Sequence, residues 1–307
     1  VLNDVGSFDG DHTAVTFDTA FAGRPAHASL SDSAEQPVPQ PGVRPFFFNG
    51  TQKPLFGAYY EPFASQHAGS PVLICPPTGH EYVRCYNTIR KLCGRLAQSG
   101  FGVLKFDYCG LGDSYGDGSE ASVPEFRENI RAAAAELARR SGKSEVTVIG
   151  LRFGATLAAG VRFEGVAARN LVLWDPVVDG AEYLAGLREL HQACLLDSIR
   201  YRKLQPHRTT ETELLGFRYP AGLQTSMSQL SLLNKPFPYN NCYLLSSVQS
   251  LAGDALIQSL SRNTRGRFTH EFVQESAGWD DVRQVESALA ANRAVSAISA
   301  KIAGGFV

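Results

Sequence analysis

The sequence predicts an α/β fold with a mostly parallel central sheet and helices on both faces. Two observations carry this. Short β-branched and apolar runs alternate with amphipathic helical stretches, the order expected of a sheet covered on both sides. The runs Val72–Cys75, Val146–Ile149 and Leu171–Trp174 are apolar at successive positions, as strands buried on both faces must be. A third observation, an Asn-Gly turn between two short strand patterns near the start, places an antiparallel hairpin at one edge.

In chain order, residues 1–43 are rich in Ser, Asp, Pro and Gly and weakly periodic, and read as an extended N-terminal tail. Pro45–Phe48, Asn49-Gly50 and Leu55–Tyr60 form the hairpin. The strand Val72–Cys75 stops at Pro76-Pro77. The next helix carries Tyr86, Ile89, Cys93 and Leu96 on one face and ends at Gly100. Val103–Tyr108 is a strand and Gly110–Ser114 a loop. Ser122-x-x-Glu125 is a capping box that opens a helix burying Phe126, Ile130, Ala133 and Leu137. The strand around Val148 and its helix follow, then the strand Leu171–Trp174, closed by Asp175-Pro176. Residues 179–234 are irregularly helical and interrupt the alternation, so they read as a helical lid inserted into a core of 44–178 and 235–307. Cys242–Ser246 and Phe268–Val273 are the last strands, Asp254–Arg262 a helix between them, and Asp280–Ile302 the closing helix, with Val282, Val285, Leu289, Val295, Ile298 and Ile302 in register.

Composition narrows the function classes. The 307 residues carry a net charge of −1, which leaves no electrostatic footprint for nucleic acid. No apolar run approaches the roughly 20 residues that span a bilayer. The six cysteines contain no C-x-x-C pair and several sit in apolar stretches, so they are expected to be reduced, in a cytoplasmic protein. No His, Cys and carboxylate cluster has metal-ligand spacing, and Gly110-Leu111-Gly112 lacks the strand-to-helix setting of a phosphate loop. No metal and no cofactor is expected.

The most informative stretch is Glu145–Val161. A strand, a corner flanked by Gly150 and Gly154, and a small-residue helix are the context of the nucleophile elbow G-x-S-x-G. The central residue is Arg152, whose guanidinium stays protonated and cannot attack a carbonyl. The order of elements from about residue 45 to 303 resembles the α/β-hydrolase fold. More narrowly, PPTGHEYVR, FDYCGLGDSYGD, GLRFGATLAAG and LVLWDPVVDG resemble the α/β hydrolases found beside exosortase systems and in carrier-protein pathways.

The resemblance implies positions to inspect one by one. The nucleophile's place is Arg152. The acid's loop, Val248–Leu251, has no carboxylate. The place of the histidine falls at Gly278 or Trp279, and His270 lies too early, inside a strand. All three departures point away from a Ser-His-Asp mechanism. The resemblance also implies two backbone oxyanion donors, at Phe153 and at the Thr78 or Gly79 turn.

Strand carboxyl ends should gather His80, Glu81, Cys109, Arg152 and Asp175 at one crevice. An arginine at a helix start needs an anionic neighbour. Asp175 in a structural ion pair and a ligand carboxylate or phosphate both fit. His80 suits a general base or a loop hydrogen bond, and Glu81 a cap for a helix starting near Tyr82. Cys109 as a displaced nucleophile is opposed by Asp107 and Asp113, which suit fixing the loop. The stretch Arg188–Arg218 carries a small positive excess, either a solvated face or a docking face for an acidic carrier protein.

Two function classes stay open. One is an enzyme on acyl or ester-like, carrier-linked or anionic small molecules, with Arg152 as anchor, Asp175 and His80 in the chemistry, and Thr78, Gly79, Glu81, Cys109, Phe153 and Trp279 at the substrate. The other is a non-catalytic protein that binds or assembles. A homodimer bridged by the tail stays open too; neither nucleic acid nor membrane is expected as a partner.

Overall fold

The computed structural model describes residues 42–49, 52–63, 69–197, 212–233, 237–275 and 277–306. The predicted tail therefore lies outside the described residues except for its end, as do Arg200, Arg202, Lys203 and Arg208 of the basic stretch.

Strands β1 (Val43–Phe48), β2 (Leu55–Tyr60), β3 (Val72–Cys75), β4 (Val103–Phe106), β5 (Glu145–Leu151), β6 (Ala167–Trp174), β9 (Asn241–Ser246) and β10 (Phe268–Phe272) form one sheet. Their order is β1-β2-β4-β3-β5-β6-β9-β10. The pairs β1–β2 and β2–β4 are antiparallel and the pairs from β4 to β10 are parallel. The edge hairpin and the parallel sheet are as the sequence predicts.

Alternation along each central strand assigns residues to two cores. Leu73, Leu104, Val148, Leu171 and Leu244 face one side, with helix α2 (Val123–Ser141) and helix α3 (Phe153–Ala159). Ile74, Val103, Ile149, Val172 and Tyr243 face the other, with helix α1 (Gly79–Gln98) and helix α7 (Asn292–Ala303). Neighbouring residues of one strand point to opposite faces, so an unbroken apolar run is what a sheet covered on both sides requires. Ser122 caps α2 by accepting from the Glu125 N–H, and Gly142 closes it in the left-handed region, at φ 66°.

Two helical expectations need correction. Tyr86 is not on the buried face of α1; its side chain is 49% exposed, and Cys85 and Leu92 pack with Ile89, Cys93 and Leu96 instead. The ring is not idle, because the Lys105 ammonium lies 5.2 Å from its centre. The closing helix does not start at Asp280. A single 3₁₀ turn, Val282–Gln284, is followed by irregular chain up to Asn292, so Val282, Val285 and Leu289 fall outside the helix. Tertiary hydrogen bonds replace helical ones there. The Arg84 guanidinium donates to the carbonyls of Ala277, Gly278 and Ser287 at 2.8, 3.1 and 3.2 Å. The Leu289 N–H donates to Arg84 O at 2.8 Å, and the Thr88 hydroxyl donates to Leu289 O. Backbone groups satisfied by α1 have no need of a helix.

Between β6 and β9 the described chain forms helix α4 (Gly180–Leu195), a small hairpin of β7 (Glu213–Leu214) and β8 (Phe217–Arg218), and helix α5 (Ala221–Ser228). Asp179 caps α4, accepting from the N–H groups of Ala181 and Glu182. Helix α6 (Leu251–Asn263) begins three residues earlier than the sequence suggests, because Ser250 caps it. Among the described residues no helix is long and apolar enough to cross a membrane.

Candidate functional site

The corner at residue 152 keeps the backbone of an elbow. Arg152 sits at φ 53° and ψ −124°, a conformation that costs a side-chain-bearing residue on the order of 1–3 kcal/mol. Its N–H donates to Trp174 O at 2.9 Å, tying the corner to β6. Both flanking glycines are forced by space. A Cβ at Gly154 would overlap the carbonyl oxygens of Cys75 and Pro76, and one at Gly150 would overlap the Ala155 backbone. The strand therefore turns sharply into α3, and the side chain at 152 is thrust out at the strand ends.

That side chain is already partnered. The Arg152 Nε donates to Glu81 Oε1 at 2.8 Å, and Nη1 donates to the Asp175 backbone carbonyl at 3.3 Å. The Arg152 side chain is 13% exposed and that of Glu81 1%. The Tyr183 hydroxyl, from α4, donates to the other Glu81 oxygen at 3.0 Å. The guanidinium carbon lies 4.8 Å from the Trp279 ring centre and 5.6 Å from that of Tyr183. Burial works against the arginine's charge, but Glu81 and Asp175 outweigh it and raise its pKa. So the structural partner of Arg152 is Glu81, not the Asp175 carboxylate. Nor is Glu81 only a helix cap: α1 begins at Gly79, and the carboxylate reaches across to the elbow.

Asp175 has other work. Its Oδ1 accepts from Ser247 N at 2.6 Å, and its Oδ2 accepts from Ser247 Oγ at 2.5 Å and from Trp279 Nε1 at 3.1 Å. Trp279 thus stands at the place of the expected histidine and donates to an acid, with Arg84 on its ring at 5.3 Å and Arg152 at 4.8 Å. An indole N–H donates only, so it fixes Asp175 but cannot take a proton from anything.

A cavity of about 500 Å³ opens beside these groups. His80, Glu81, Arg152, Asp175 and Trp279 all border it, so five of the predicted site residues meet there. His80 is 4% exposed, and among the described residues neither of its ring nitrogens has a hydrogen-bond partner. Burial lowers its pKa, against a smaller opposing pull from Glu81, so the imidazole is neutral at pH 7.

The remaining predicted residues do not join this cavity. Thr78 and Gly79 border a separate one of about 210 Å³, with Tyr82, Phe126 and Tyr219. Gly79 sits at φ 62°, and a Cβ there would strike the Tyr219 hydroxyl, so Tyr219 covers the turn. Phe153 is fully buried and stacks on Tyr183 with centres 6.0 Å apart. Cys109 borders neither cavity. Its thiol donates to Tyr115 O at 3.1 Å, and burial together with Glu125 raises its pKa, which removes it as a nucleophile. The opposition comes from Glu125 and Glu120, not from Asp107 and Asp113. Asp107 does fix the loop, accepting from Tyr82 Oη at 2.7 Å and from Asp113 N at 3.2 Å.

Tyr183, Ser247, Glu182, Glu189 and Asp280 are additions that the sequence reading missed. Tyr183 carried one readable signal: it lies one helical turn beyond the Asp179 cap, on the face that meets the strand ends. The acidic residues of α4 looked like any solvated face. Among the described residues no group of His, Cys, Asp and Glu could hold a metal ion.

No family model matches the chain, and no curated protein matches it. Solved structures do. A hyperthermophilic esterase from Pyrobaculum calidifontis is similar with a TM-score of 0.54 at 19% identity, over 87% of this chain and 86% of its own. An esterase from Pyrococcus furiosus gives a TM-score of 0.52 at 15% identity, over 86% and 90%. The mouse α/β hydrolase domain-containing protein 10 gives 0.50 at 17% identity, over 84% and 96%. At such identities the likeness shows the fold, and the fold is that of the α/β hydrolases.

Proposed function

We propose that the chain is a small-molecule-binding protein built on the α/β-hydrolase fold, working without a serine nucleophile. The observation that carries this reading is the arginine at the elbow, held by Glu81 and set between two aromatic rings beside an open cavity. A side chain so engaged positions the wall of a pocket; it attacks nothing. Helix α4 serves as the cover, supplying Glu182, Tyr183, Leu187 and Glu189 to the cavity wall.

A second reading rests on His80. A neutral imidazole bordering the cavity with an unused acceptor nitrogen is a general base in want of a proton. In that reading His80 takes a proton from water as the water oxygen bonds to an acyl or ester carbonyl, and the adduct collapses by breaking the bond to the leaving group, which takes the proton back from His80. Arg152 then anchors an anionic or carrier-linked substrate through the guanidinium edge that Glu81 leaves open. The Thr78–Gly79 turn lying in a different cavity counts against a complete oxyanion hole.

One pair of measurements separates the readings. The purified protein is incubated with a metabolite extract and examined by native mass spectrometry, and separately treated with a fluorophosphonate probe and p-nitrophenyl acetate. Retained ligand without serine labelling or esterase activity is the expected result. Stoichiometric labelling of any serine would overturn it. Turnover that disappears in His80→Gln, still without serine labelling, would establish the second reading.

A further inference from the structure

We propose that the occupant of the 500 Å³ cavity is an organic cation, a molecule recognised through an ammonium group. This rests on reading the cavity as a small-molecule site, and it reverses the charge expected from an arginine at the elbow.

The lining holds six carboxylates, Glu81, Asp175, Asp179, Glu182, Glu189 and Asp280, against one guanidinium. Arg152 is neutralised by Glu81 at 2.8 Å, so it offers an incoming anion little unspent charge. Asp175 is occupied by Ser247 and Trp279, and Asp179 by the start of α4. Glu182, Glu189 and Asp280 remain. Among the described residues their side chains make no hydrogen bond or ion pair, so their field falls on the cavity. All three are exposed, so solvent and salt partly screen that field.

Two further features match a cation. His80 is buried, borders the cavity and, among the described residues, has no partner for either ring nitrogen. As a neutral imidazole it has one acceptor nitrogen, which an ammonium N–H can satisfy. The same wall already holds one cation: the Arg152 guanidinium rests between Trp279 and Tyr183, with Glu81 as counter-charge. Aromatic faces and carboxylates are the two groups that favour an ammonium over water.

The test compares three probes of similar size, phenethylammonium, phenethyl alcohol and phenylacetate, by isothermal titration calorimetry on the whole chain. Each exposed ion pair contributes modestly, so three together favour the ammonium over the alcohol by about tenfold, less at high salt. That preference disappears in the Glu182→Gln, Glu189→Gln, Asp280→Asn triple variant, whose exposed positions leave folding intact. In His80→Phe the ammonium weakens more than the alcohol, because a hydrogen bond to a charged donor is the stronger one. Phenylacetate binding as tightly as phenethylammonium, or tighter, overturns the cation inference and leaves the small-molecule reading standing. No binding of any probe at millimolar concentration overturns both.

Discussion

At the residue scale the arrangement turns on one ion pair. Glu81 and Arg152 are both withdrawn from water, and such a pair is fragile to the loss of one member because the other remains charged and buried. Arg152→Ala should therefore destabilise the fold by about 3–5 kcal/mol in urea unfolding. Glu81→Gln, made in the same background, should recover part of that loss, since the amide needs no counter-charge and still accepts from Tyr183. The cycle with Asp175→Asn should show weaker coupling, because Asp175 meets the guanidinium through its backbone carbonyl. Stronger coupling to Asp175 than to Glu81 would mean that the pairing is misassigned. Here the sequence was legible only by half. An arginine at a helix start demanded an anion, and it found one. Which anion depended on α1 starting at Gly79, so that residue 81 faces the elbow 71 positions away. Chemistry at one position can be read from its neighbours in the chain; a partner brought by another element cannot.

At the element scale the elbow is fixed by steric exclusion, and its glycines should behave unlike glycines elsewhere. Gly154→Ala places a methyl group into the carbonyls of Cys75 and Pro76, backbone that cannot yield without moving β3, so a loss beyond the about 1–3 kcal/mol of ordinary overpacking is expected. Gly94 lies inside α1, where an added methyl group would meet nothing within 4 Å, and Gly94→Ala should stabilise by about 0.5–1 kcal/mol. Thermal and urea unfolding of both variants tests the contrast, and equal effects would refute it. The glycine pair was visible in the sequence because its requirement is local. The strands were visible for the same reason: Val72–Cys75 was delimited to the residue, as burial on both faces leaves an unbroken apolar run. The closing helix was not. Its periodicity runs from Val282 to Ile302, yet Arg84 and Thr88 of α1 take the carbonyls at 277, 278, 287 and 289, and the first half never winds. Periodicity reports which residues are buried; it is silent on who satisfies the backbone.

At the scale of the whole molecule, the sheet brings the ends of β3, β5, β6 and β9 to one crevice, and the groups buried there set the response to acid. His80 faces Glu81, Arg84, Arg152 and Asp280, and its pKa is lowered chiefly by burial from the ordinary 6.5. His191 and His270 shift the same way, also through burial. The unfolded chain thus binds more protons than the folded one below pH 6.5, and stability falls as pH falls. The contribution is whole above the unfolded value and is lost progressively until the folded value is passed. Carboxylates act in a lower window: Asp117, held low by Ser119, and Glu136, held low by Arg139, give up their contributions only near and below their ordinary 3.8 and 4.5. Between pH 6.5 and 5 the histidines therefore dominate. Urea unfolding of the parent should show stability declining over that interval, and His80→Phe should decline less, with His80→Gln as a polar control of similar size. Identical slopes for all three would mean that His80 binds its proton equally in the folded and unfolded chain, so that burial does not hold the imidazole neutral. A steeper decline in His80→Phe than in the parent would mean that folding raises its pKa, and a protonated imidazole beside Arg84 and Arg152 would leave no place for a bound ammonium.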